Sequence, residues 1–224
     1  MKLKKNIKLL VSADGGAASG KTTGARMISK KYGLKLLTSG LLYRYVSYKL
    51  LLKNRIKNRN AYLKSITKSI TLKKLNSTKL YDPVVTENTS VIAKSKKIRI
   101  LLKKFQKKFA QQKLVCIEGR DIGSVICPNA DVKFFFKCSL DIRAKRRLND
   151  FKKANKKITL KDVKKALKKR DLIDTKRKNS PLRLPRSAYI VDTSKIDKKQ
   201  MLNILSRVID KKLLVKYGRN YKRK

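Results

Sequence analysis

Eight residues near the N-terminus have the types and the spacing of a loop that binds phosphate. They are Gly15, Gly16, Ala17, Ala18, Ser19, Gly20, Lys21 and Thr22, in which two glycines five positions apart precede a lysine and a hydroxyl residue. Such a loop turns backbone N–H groups towards an anion, which larger side chains would crowd. The lysine can reach the β- and γ-phosphates of a nucleotide. The alternative is an ordinary Gly-rich turn.

The residues on either side of the loop favour nucleotide binding over a simple turn. Residues 7–11 are apolar enough for a buried strand, and residues 23–32 have a helical pattern that Gly33 closes. The N-terminus of that helix would point at the bound phosphates. We therefore expect residues 15–23 to bind a nucleotide, with the hydroxyl of Thr23 or Thr22 helping to hold Mg²⁺.

The net charge of +48 on 224 residues has two explanations. One is nucleic-acid binding through counterion release at a basic surface. The other is a basic proteome or biased coding, which the even spread of lysines from Lys2 to Lys224 favours. In either case the positive field attracts anionic nucleotides, and nonspecific binding to nucleic acid remains a possible consequence.

Composition excludes several classes of site. The chain has no histidine, so imidazole catalysis and histidine-bound metals are excluded. Cys116, Cys127 and Cys138 lack the close pairing of a zinc site, and we expect buried, reduced thiols. No apolar run approaches the length of a membrane span. We expect a cytoplasmic monomer that does not associate with membranes.

Strand-like and helix-like segments alternate along the chain, which predicts an α/β fold. We expect about five parallel strands, with helices on both faces of the sheet. The predicted strands are residues 7–11, 35–37, 114–117, 132–136 and 189–191. The predicted helices are residues 23–32, 41–53, 91–112, 140–154, 160–170 and 198–214.

Three segments depart from this alternation. Residues 54–90 are rich in Lys, Asn and Thr with short β-like pieces, and their scattered Leu, Ile and Val predict an inserted subdomain instead of a linker. Residues 171–184 are dense in charge without clear periodicity, which suggests a mobile segment. Residues 215–224 form a basic tail that we expect to be frayed.

Four further motifs follow the loop, and the five together resemble the bacterial cytidylate kinase family of P-loop nucleoside-monophosphate kinases. They are Asp14–Thr23, Thr38–Arg44, Gly119–Val125 with Pro128, Arg143–Arg147, and Arg170–Arg177 followed by Pro181-Leu182. The resemblance covers nearly the whole chain, and Gly119-Arg120-Asp121-Ile122-Gly123 is its most diagnostic part. This chain departs from the family pattern at Gly16, Thr22 and Thr38, and has Tyr81 near a position where the family has Arg.

The resemblance implies a P-loop kinase fold with a core of residues 1–53 and 91–214. The insert at 54–90 would bind the nucleoside monophosphate (NMP), and residues 171–184 would form an Arg-rich lid. The implied reaction transfers the γ-phosphate of ATP to CMP, and to dCMP as a second acceptor. Its products are ADP with CDP or dCDP, and Mg²⁺ is required.

The resemblance also implies a role for individual residues. Arg44 and Arg120 would hold the acceptor phosphate. The remaining acceptor contacts would come from Ser39, from Asp121, Arg99 and Ser90 at the cytosine edge, and from Arg170 and Asp174 at the sugar. The catalytic set would be Lys21, Arg120, Arg177, Arg143 and Arg147.

The sequence alone leaves alternatives to these roles open. Asp121 and Asp174 are scarce carboxylates, and each stands beside arginines. The alternative to nucleotide binding is that both only form salt bridges with those arginines. Arg99 can equally be an exposed charge on a helix. For the whole chain, the alternatives are another NMP or small-metabolite kinase, or a basic P-loop protein that acts on nucleic acid. Aromatic residues make up 7% of the chain, which is sparse for base stacking.

The composition of the chain suits phosphoryl transfer, independently of the family resemblance. The reaction needs positioning and charge stabilisation more than covalent chemistry. Arginine binds phosphate oxygens in pairs and keeps its proton. An Arg-rich chain without histidine is therefore adequate for it.

Overall fold

The computed structural model describes residues 3–53, 55–153 and 158–221. The chain divides into two compact units. The sheet unit comprises Met1–Leu36 and Gln112–Lys224, and the helical unit comprises Leu37–Gln111. Neither boundary coincides with the predicted insert at 54–90, so the NMP-binding insert and the lid at 171–184 stay predictions.

A five-stranded sheet is the centre of the fold. Its strands are β1 (Leu9–Gly15), β2 (Lys35–Thr38), β3 (Leu114–Gly119), β4 (Val132–Lys137) and β5 (Tyr189–Asp192), in the order β2-β3-β1-β4-β5. The pairs of β1 with β3, β1 with β4, and β4 with β5 are parallel. The predicted α/β fold is confirmed, although β1 begins two residues later than expected and continues to Gly15.

Nine helices accompany the strands in the described ranges. They are α1 (Lys21–Tyr32), α2 (Ser39–Leu51), α3 (Arg59–Lys68), α4 (Leu72–Leu75), α5 (Pro83–Ile92), α6 (Lys96–Ala110), α7 (Leu140–Lys153), α8 (Leu160–Lys176) and α9 (Lys198–Tyr217). A π-helical turn at Ile122–Ile126 and 3₁₀ turns at Thr78–Tyr81 and Gly218–Tyr221 complete the structure. No helix in these ranges has both the length and the apolar character that a membrane crossing requires.

The main core of the sheet unit lies between the strands and the helices α1 and α9. Ile28 of α1 and Leu205 of α9 are completely buried there with Phe134 of β4. Gly24 brings α1 close to the sheet, since a Cβ atom at this position would lie 2.8 Å from the Phe136 ring. This packing fixes α1, and with it the loop that precedes the helix.

A second, smaller core joins the phosphate loop to the helices α7 and α8. Ala17 of the loop packs there with Ala144, Val163 and Leu167, all of them buried. The loop is therefore supported from two sides, by the sheet and by this helix pair.

In the helical unit, α2 is the helix against which the others pack. The Ser47 hydroxyl of α2 donates to the carbonyl of Val85 in α5 at 3.1 Å. Tyr62 of α3 donates to the carbonyl of Lys49 at 2.9 Å. These bonds tie residues of the segment 54–90 to the end of the helix that follows Thr38.

The β-like pieces expected within residues 54–90 were wrong, because the described part of this segment is helical. Its helices begin at side-chain caps: Asn58 caps α3, Thr71 caps α4 and Asp82 caps α5. Pro83 occupies the first turn of α5, where a missing N–H costs nothing. The capping residues decided the structure where the β propensity of single residues suggested strands.

Other helix boundaries also differ from expectation. The predicted helix 91–112 is divided, because α5 ends at Ile92 and Ser95 caps α6. The helix α8 continues to Lys176, into the segment expected to be mobile. The helix α9 reaches Tyr217, so the expected basic tail begins as ordered helix; its last residues, 222–224, lie outside the described residues. Ala154, the predicted end of α7, also lies outside them.

Candidate active site

The phosphate loop runs from the end of β1 to the start of α1, and its backbone shape depends on small residues. A Cβ atom at Gly15 would lie 2.5 Å from the carbonyl oxygen of Phe136. Gly20 has a left-handed φ of 84°, and Ala18 shares this region with a φ of 56°. The loop therefore holds a strained path that larger residues would not follow.

Donors for an anion remain at the start of α1. In the described chain no side chain caps this helix at Gly20. The hydroxyl of Ser19 is buried and has no hydrogen-bond partner among the described residues. A helix N-terminus with uncapped N–H groups attracts negative charge, so residues 15–22 fit a bound phosphate group.

Lys21 is the buried cation of the loop. Its Nζ donates to the Gly16 carbonyl at 3.1 Å, and burial followed by the charge of Arg120 lowers its pKa to about 7. Glu118 and Asp174 oppose this shift, whereas Arg170 adds to it. Several predicted site residues therefore lie close enough to Lys21 to affect its charge.

Asp174 links two of the predicted catalytic arginines. Its Oδ2 lies 2.8 Å from Arg120 Nε and its Oδ1 lies 3.2 Å from Arg177 Nη1. Burial raises the pKa of Asp174, but Arg120 and Arg177 outweigh it and hold the pKa below its usual value. Arg177 Nη2 also lies 3.8 Å from Asp121 Oδ1. The salt-bridge alternative for both carboxylates is thus observed, while their roles towards a nucleotide stay predictions.

Arg143 lies against the phosphate loop, while its predicted contact with the transferring phosphates stays a prediction. Its Nη1 donates to Asp171 Oδ2 at 2.6 Å and to the Ala17 carbonyl at 3.3 Å. Its Nε and the other oxygen of Asp171 have no hydrogen-bond partner among the described residues. These two buried atoms therefore have unused hydrogen-bonding capacity beside the loop.

Arg147, from the same motif, lies along its own helix in this structure. Its Nη1 is 3.9 Å from Asp150 and its guanidinium lies 4.7 Å from the centre of the Phe151 ring. The contact of Arg147 with the transferring phosphates stays a prediction.

The neighbouring Arg146 has a supporting role that the sequence did not indicate. Its Nη1 and Nη2 donate to the hydroxyl and the carbonyl of Thr193, at 2.9 and 2.7 Å. The Thr193 hydroxyl in turn donates to the carbonyl of Ser19 at 3.0 Å. Thr193 follows β5, so the end of the sheet braces the phosphate loop.

A hydroxyl and a carboxylate lie together where Mg²⁺ is expected. Thr22 Oγ1 donates to Glu118 Oε1 at 3.0 Å, which gives Thr22 a carboxylate partner beside the loop. Groups of three or more metal-binding side chains are not found in the described residues. Mg²⁺ needs only one or two protein oxygens beside phosphates and water, so this pair fits the ion.

Glu118 was missed by the sequence interpretation. The signal was available, because Glu118 is a carboxylate in the otherwise apolar strand β3, directly before Gly119.

Two predicted acceptor residues lie on α2 of the helical unit. The buried hydroxyl of Ser39 accepts a hydrogen bond from Gln106 at 2.6 Å. Arg44 donates to the Leu80 carbonyl at 3.4 Å and stacks over Tyr81, 5.0 Å from its ring centre. Tyr81, which stands near a family arginine position, therefore contacts a predicted phosphate-binding residue.

Arg99 is buried on α6, so the alternative of an exposed helix charge was wrong. Its exposure is 8%, its Nη1 donates to the Ala93 carbonyl at 3.3 Å, and its guanidinium lies 5.5 Å from the Tyr43 ring centre. Ser90 lies half-buried on α5. The contacts of Arg99 and Ser90 with the base stay predictions.

Comparison with known proteins identifies the family. The family model for cytidylate kinase matches residues 11–211. A cytidylate kinase from Fusobacterium nucleatum is 37% identical over 213 residues, which cover 91% of this chain and 98% of the relative. Cytidylate kinases from Clostridium tetani and Mycoplasmoides gallisepticum are each 31% identical and cover 95% and 93% of this chain, and 99% and 96% of their own lengths.

One solved structure shows the same fold at lower sequence similarity. It is an uncharacterised protein from Eubacterium ventriosum, with a TM-score of 0.57 and 16% identity over 91% of this chain and 99% of that one. Together, the family match and the relatives show that the chain belongs to the cytidylate kinase family of nucleoside-monophosphate kinases.

Proposed function

We propose that this enzyme transfers the γ-phosphate of ATP to CMP, and to dCMP as a second acceptor. An oxygen of the acceptor phosphate attacks the γ-phosphorus, the bond from that phosphorus to the β–γ bridging oxygen breaks, and the products are ADP with CDP or dCDP. The family supports the reaction class, and the description of the relatives as cytidylate kinases supports CMP as the acceptor.

The observation that carries the proposal is the group of cations around Lys21. Lys21 is buried with its pKa lowered to about 7, and Arg120 is the largest charged contributor to that shift. A site that disfavours its own positive charge gains free energy when phosphates neutralise it. Such charge stabilisation is most of what phosphoryl transfer asks of a protein.

The contacts of the sheet unit support separate roles for the phosphate loop and for the arginines around it. The uncapped start of α1 and the Ser19 hydroxyl suit the phosphates of ATP. Arg143 has a free Nε beside the loop in the described chain and suits the transferring phosphoryl group. Arg120 and Arg177 are held by Asp174, which orients both guanidinium groups.

Thr22 and Glu118 would hold Mg²⁺, which would neutralise negative charge on the phosphates of the nucleotide. The same proposal includes acceptor recognition by seven residues, which are Asp121, Arg99, Ser90, Arg44, Ser39, Arg170 and Asp174.

We also propose that the protein is a monomer in the cytoplasm, where three free cysteines are stable. Gel filtration tests whether the protein is a monomer.

A coupled assay of ADP release tests the reaction. With ATP and Mg²⁺, CMP and dCMP should stimulate ADP formation well above AMP or GMP, and EDTA should abolish it. Equal turnover of all monophosphates would contradict the cytosine preference and leave a general NMP kinase. Stimulation by RNA or DNA instead of monophosphates would support the nucleic-acid alternative.

A further inference from the structure

Asp14 is a buried carboxylate that joins two parts of the sheet unit. It is the penultimate residue of β1, directly before Gly15 of the phosphate loop, and pairs in register with Gly119 of β3. Its Oδ1 accepts a hydrogen bond from the N–H of Ile122 at 2.8 Å, and its Oδ2 accepts one from the N–H of Gly123 at 2.7 Å. Both oxygens of this fully buried side chain are thus used by one turn.

Arg120 and Asp121 lie between the end of β3 and the turn that Asp14 holds. After β3 ends at Gly119, the chain enters the π-helical turn Ile122–Ile126. The first N–H groups of a helical turn have no partner within it. Asp14 supplies acceptors for two of them from another strand.

Asp121 stands at the N-cap of this turn, where an aspartate commonly caps with its own side chain. It does not do so here. Its carboxylate instead faces Arg177, with Oδ1 and Nη2 3.8 Å apart. Because Asp14 satisfies the N–H groups, the Asp121 side chain is not required for the cap.

The turn is also tightly packed at Gly123. A Cβ atom at Gly123 would lie 2.7 Å from the hydroxyl oxygen of Ser12 and 3.0 Å from the ring of Pro185. The turn therefore has little space in which to shift, and its position follows that of β1.

We infer that Asp14 is a positioning residue for acceptor recognition, which fixes the turn directly after Arg120 and Asp121 relative to the phosphate loop. This inference rests on the proposed function, in which Asp121 reads the cytosine edge. An asparagine cannot replace Asp14 fully, because its amide offers one acceptor oxygen and an NH₂ group that would face an N–H donor.

A buried carboxylate at position 14 costs free energy, which supports a specific role for Asp14. Burial, and then the nearby charge of Asp121, raise the pKa of Asp14, while the two backbone hydrogen bonds and Arg120 oppose the rise; the result is a pKa of about 7. An apolar residue would avoid this cost but would leave two buried N–H groups unpaired.

The test compares Asp14→Asn with Asp131→Asn. Asp131 is a matched control, because its Oδ2 accepts a hydrogen bond at 2.9 Å from the N–H of Leu10 on the same strand. We expect Asp14→Asn to lower the ratio of kcat/KM for CMP over UMP by about tenfold, the effect of losing one hydrogen bond to a charged group. Asp131→Asn should leave the ratio unchanged.

Amide hydrogen exchange gives a readout that does not need activity. In Asp14→Asn, the amides of Ile122 and Gly123 should exchange faster than in the wild type, while the amide of Leu10 should not. Faster exchange with an unchanged CMP-to-UMP ratio would overturn the inference, because Asp14 would then be structural only. Unchanged exchange would overturn it as well.

Two further variants keep the test decisive. If Asp14→Asn does not fold, Gly123→Ala moves the same turn through its contact with Ser12 and should also narrow the CMP-to-UMP ratio; an unchanged ratio would overturn the inference. If the double variant folds, adding Asp14→Asn to Asp121→Asn should not lower the CMP-to-UMP ratio of kcat/KM further, because Asp14 acts through Asp121. A wild type without any CMP preference would instead contradict the proposed function, while amide exchange would still report whether Asp14 holds the turn.

Discussion

Thr22 and Glu118 meet at the carboxyl ends of β1 and β3, where the Thr22 hydroxyl donates to the buried Glu118 carboxylate over 3.0 Å. The pair joins the start of α1 to the strand that leads into Gly119-Arg120-Asp121. A hard cation that displaced this hydrogen bond would gain two oxygen ligands beside the phosphate loop.

Glu118→Gln should therefore increase the Mg²⁺ requirement of the enzyme. The Mg²⁺ concentration for half-maximal ADP formation should rise by about tenfold, since an amide oxygen is a weaker ligand than a carboxylate for this ion. A titration of Mg²⁺ at fixed ATP and CMP measures the shift. Glu87→Gln is the matched control, because Glu87 is exposed on α5 and is the other glutamate of the chain. An unchanged Mg²⁺ response would assign the metal to other oxygens.

Nucleotide binding should take up a proton at Lys21 under mildly alkaline conditions. The pKa of Lys21 is about 7 without ligand, and adjacent phosphates favour its charged form. Well below pH 7 the lysine is already protonated, so binding takes up little proton there. Above pH 7, affinity falls by up to about tenfold per pH unit.

Calorimetry of ADP binding at about pH 8.5 measures this uptake, because the phosphates, with a second pKa of about 6, are then fully ionised. The observed heat should depend on the ionisation enthalpy of the buffer in the wild type, and much less in Lys21→Met. Buffer-independent heats in the wild type would show that Lys21 is already charged in the free protein.

Gly24→Ala should destabilise the protein although alanine is the better helix former. A Cβ atom there would lie 2.8 Å from the Phe136 ring and 3.1 Å from Leu205. Overpacking of this kind costs about 1–3 kcal/mol and exceeds the gain in helix propensity of about 1 kcal/mol. Urea unfolding measures the difference. Gly40→Ala, with open space around its Cβ position, should instead stabilise by about 0.5 kcal/mol. Equal effects at both positions would mean that α1 can shift away from the sheet.

Binding to RNA should be weak, salt-sensitive and independent of sequence. With a net charge of +48 distributed along the chain, affinity should come from counterion release and fall steeply as salt is added. Fluorescence anisotropy with several RNA sequences at rising NaCl measures this. A complex that selects one sequence and survives moderate salt would contradict a purely electrostatic origin.

The sheet and the phosphate loop were predictable because their signals are local. Leu114-Val115-Cys116-Ile117 is apolar throughout, as a buried parallel strand requires, and Gly15 to Thr22 combine small residues with a lysine at fixed spacing. Segment 54–90 was harder, since its Lys, Asn and Thr content hid short helices whose caps, such as Asp82 before Pro83, lie at single positions.

The contacts between distant residues were not predictable from spacing alone. Asp174 lies on the buried side of α8 with Val163 and Leu167. Because this carboxylate interrupts the apolar pattern, the sequence did not indicate that the helix continues beyond Arg170. The bonds of Asp14 to Ile122 and Gly123 join residues more than 100 positions apart. Such pairs depend on the order of strands in the sheet, which a single sequence leaves open.

The brace from Arg146 through Thr193 to Ser19 has a consequence for the order in which the protein is made. Ser19 and Thr193 are separated by 174 residues, so the ribosome completes the phosphate-loop sequence long before it adds the residue that secures the loop. Thr193 becomes available only with the last strand of the sheet. A nascent chain therefore carries its nucleotide-binding sequence through most of synthesis without this support.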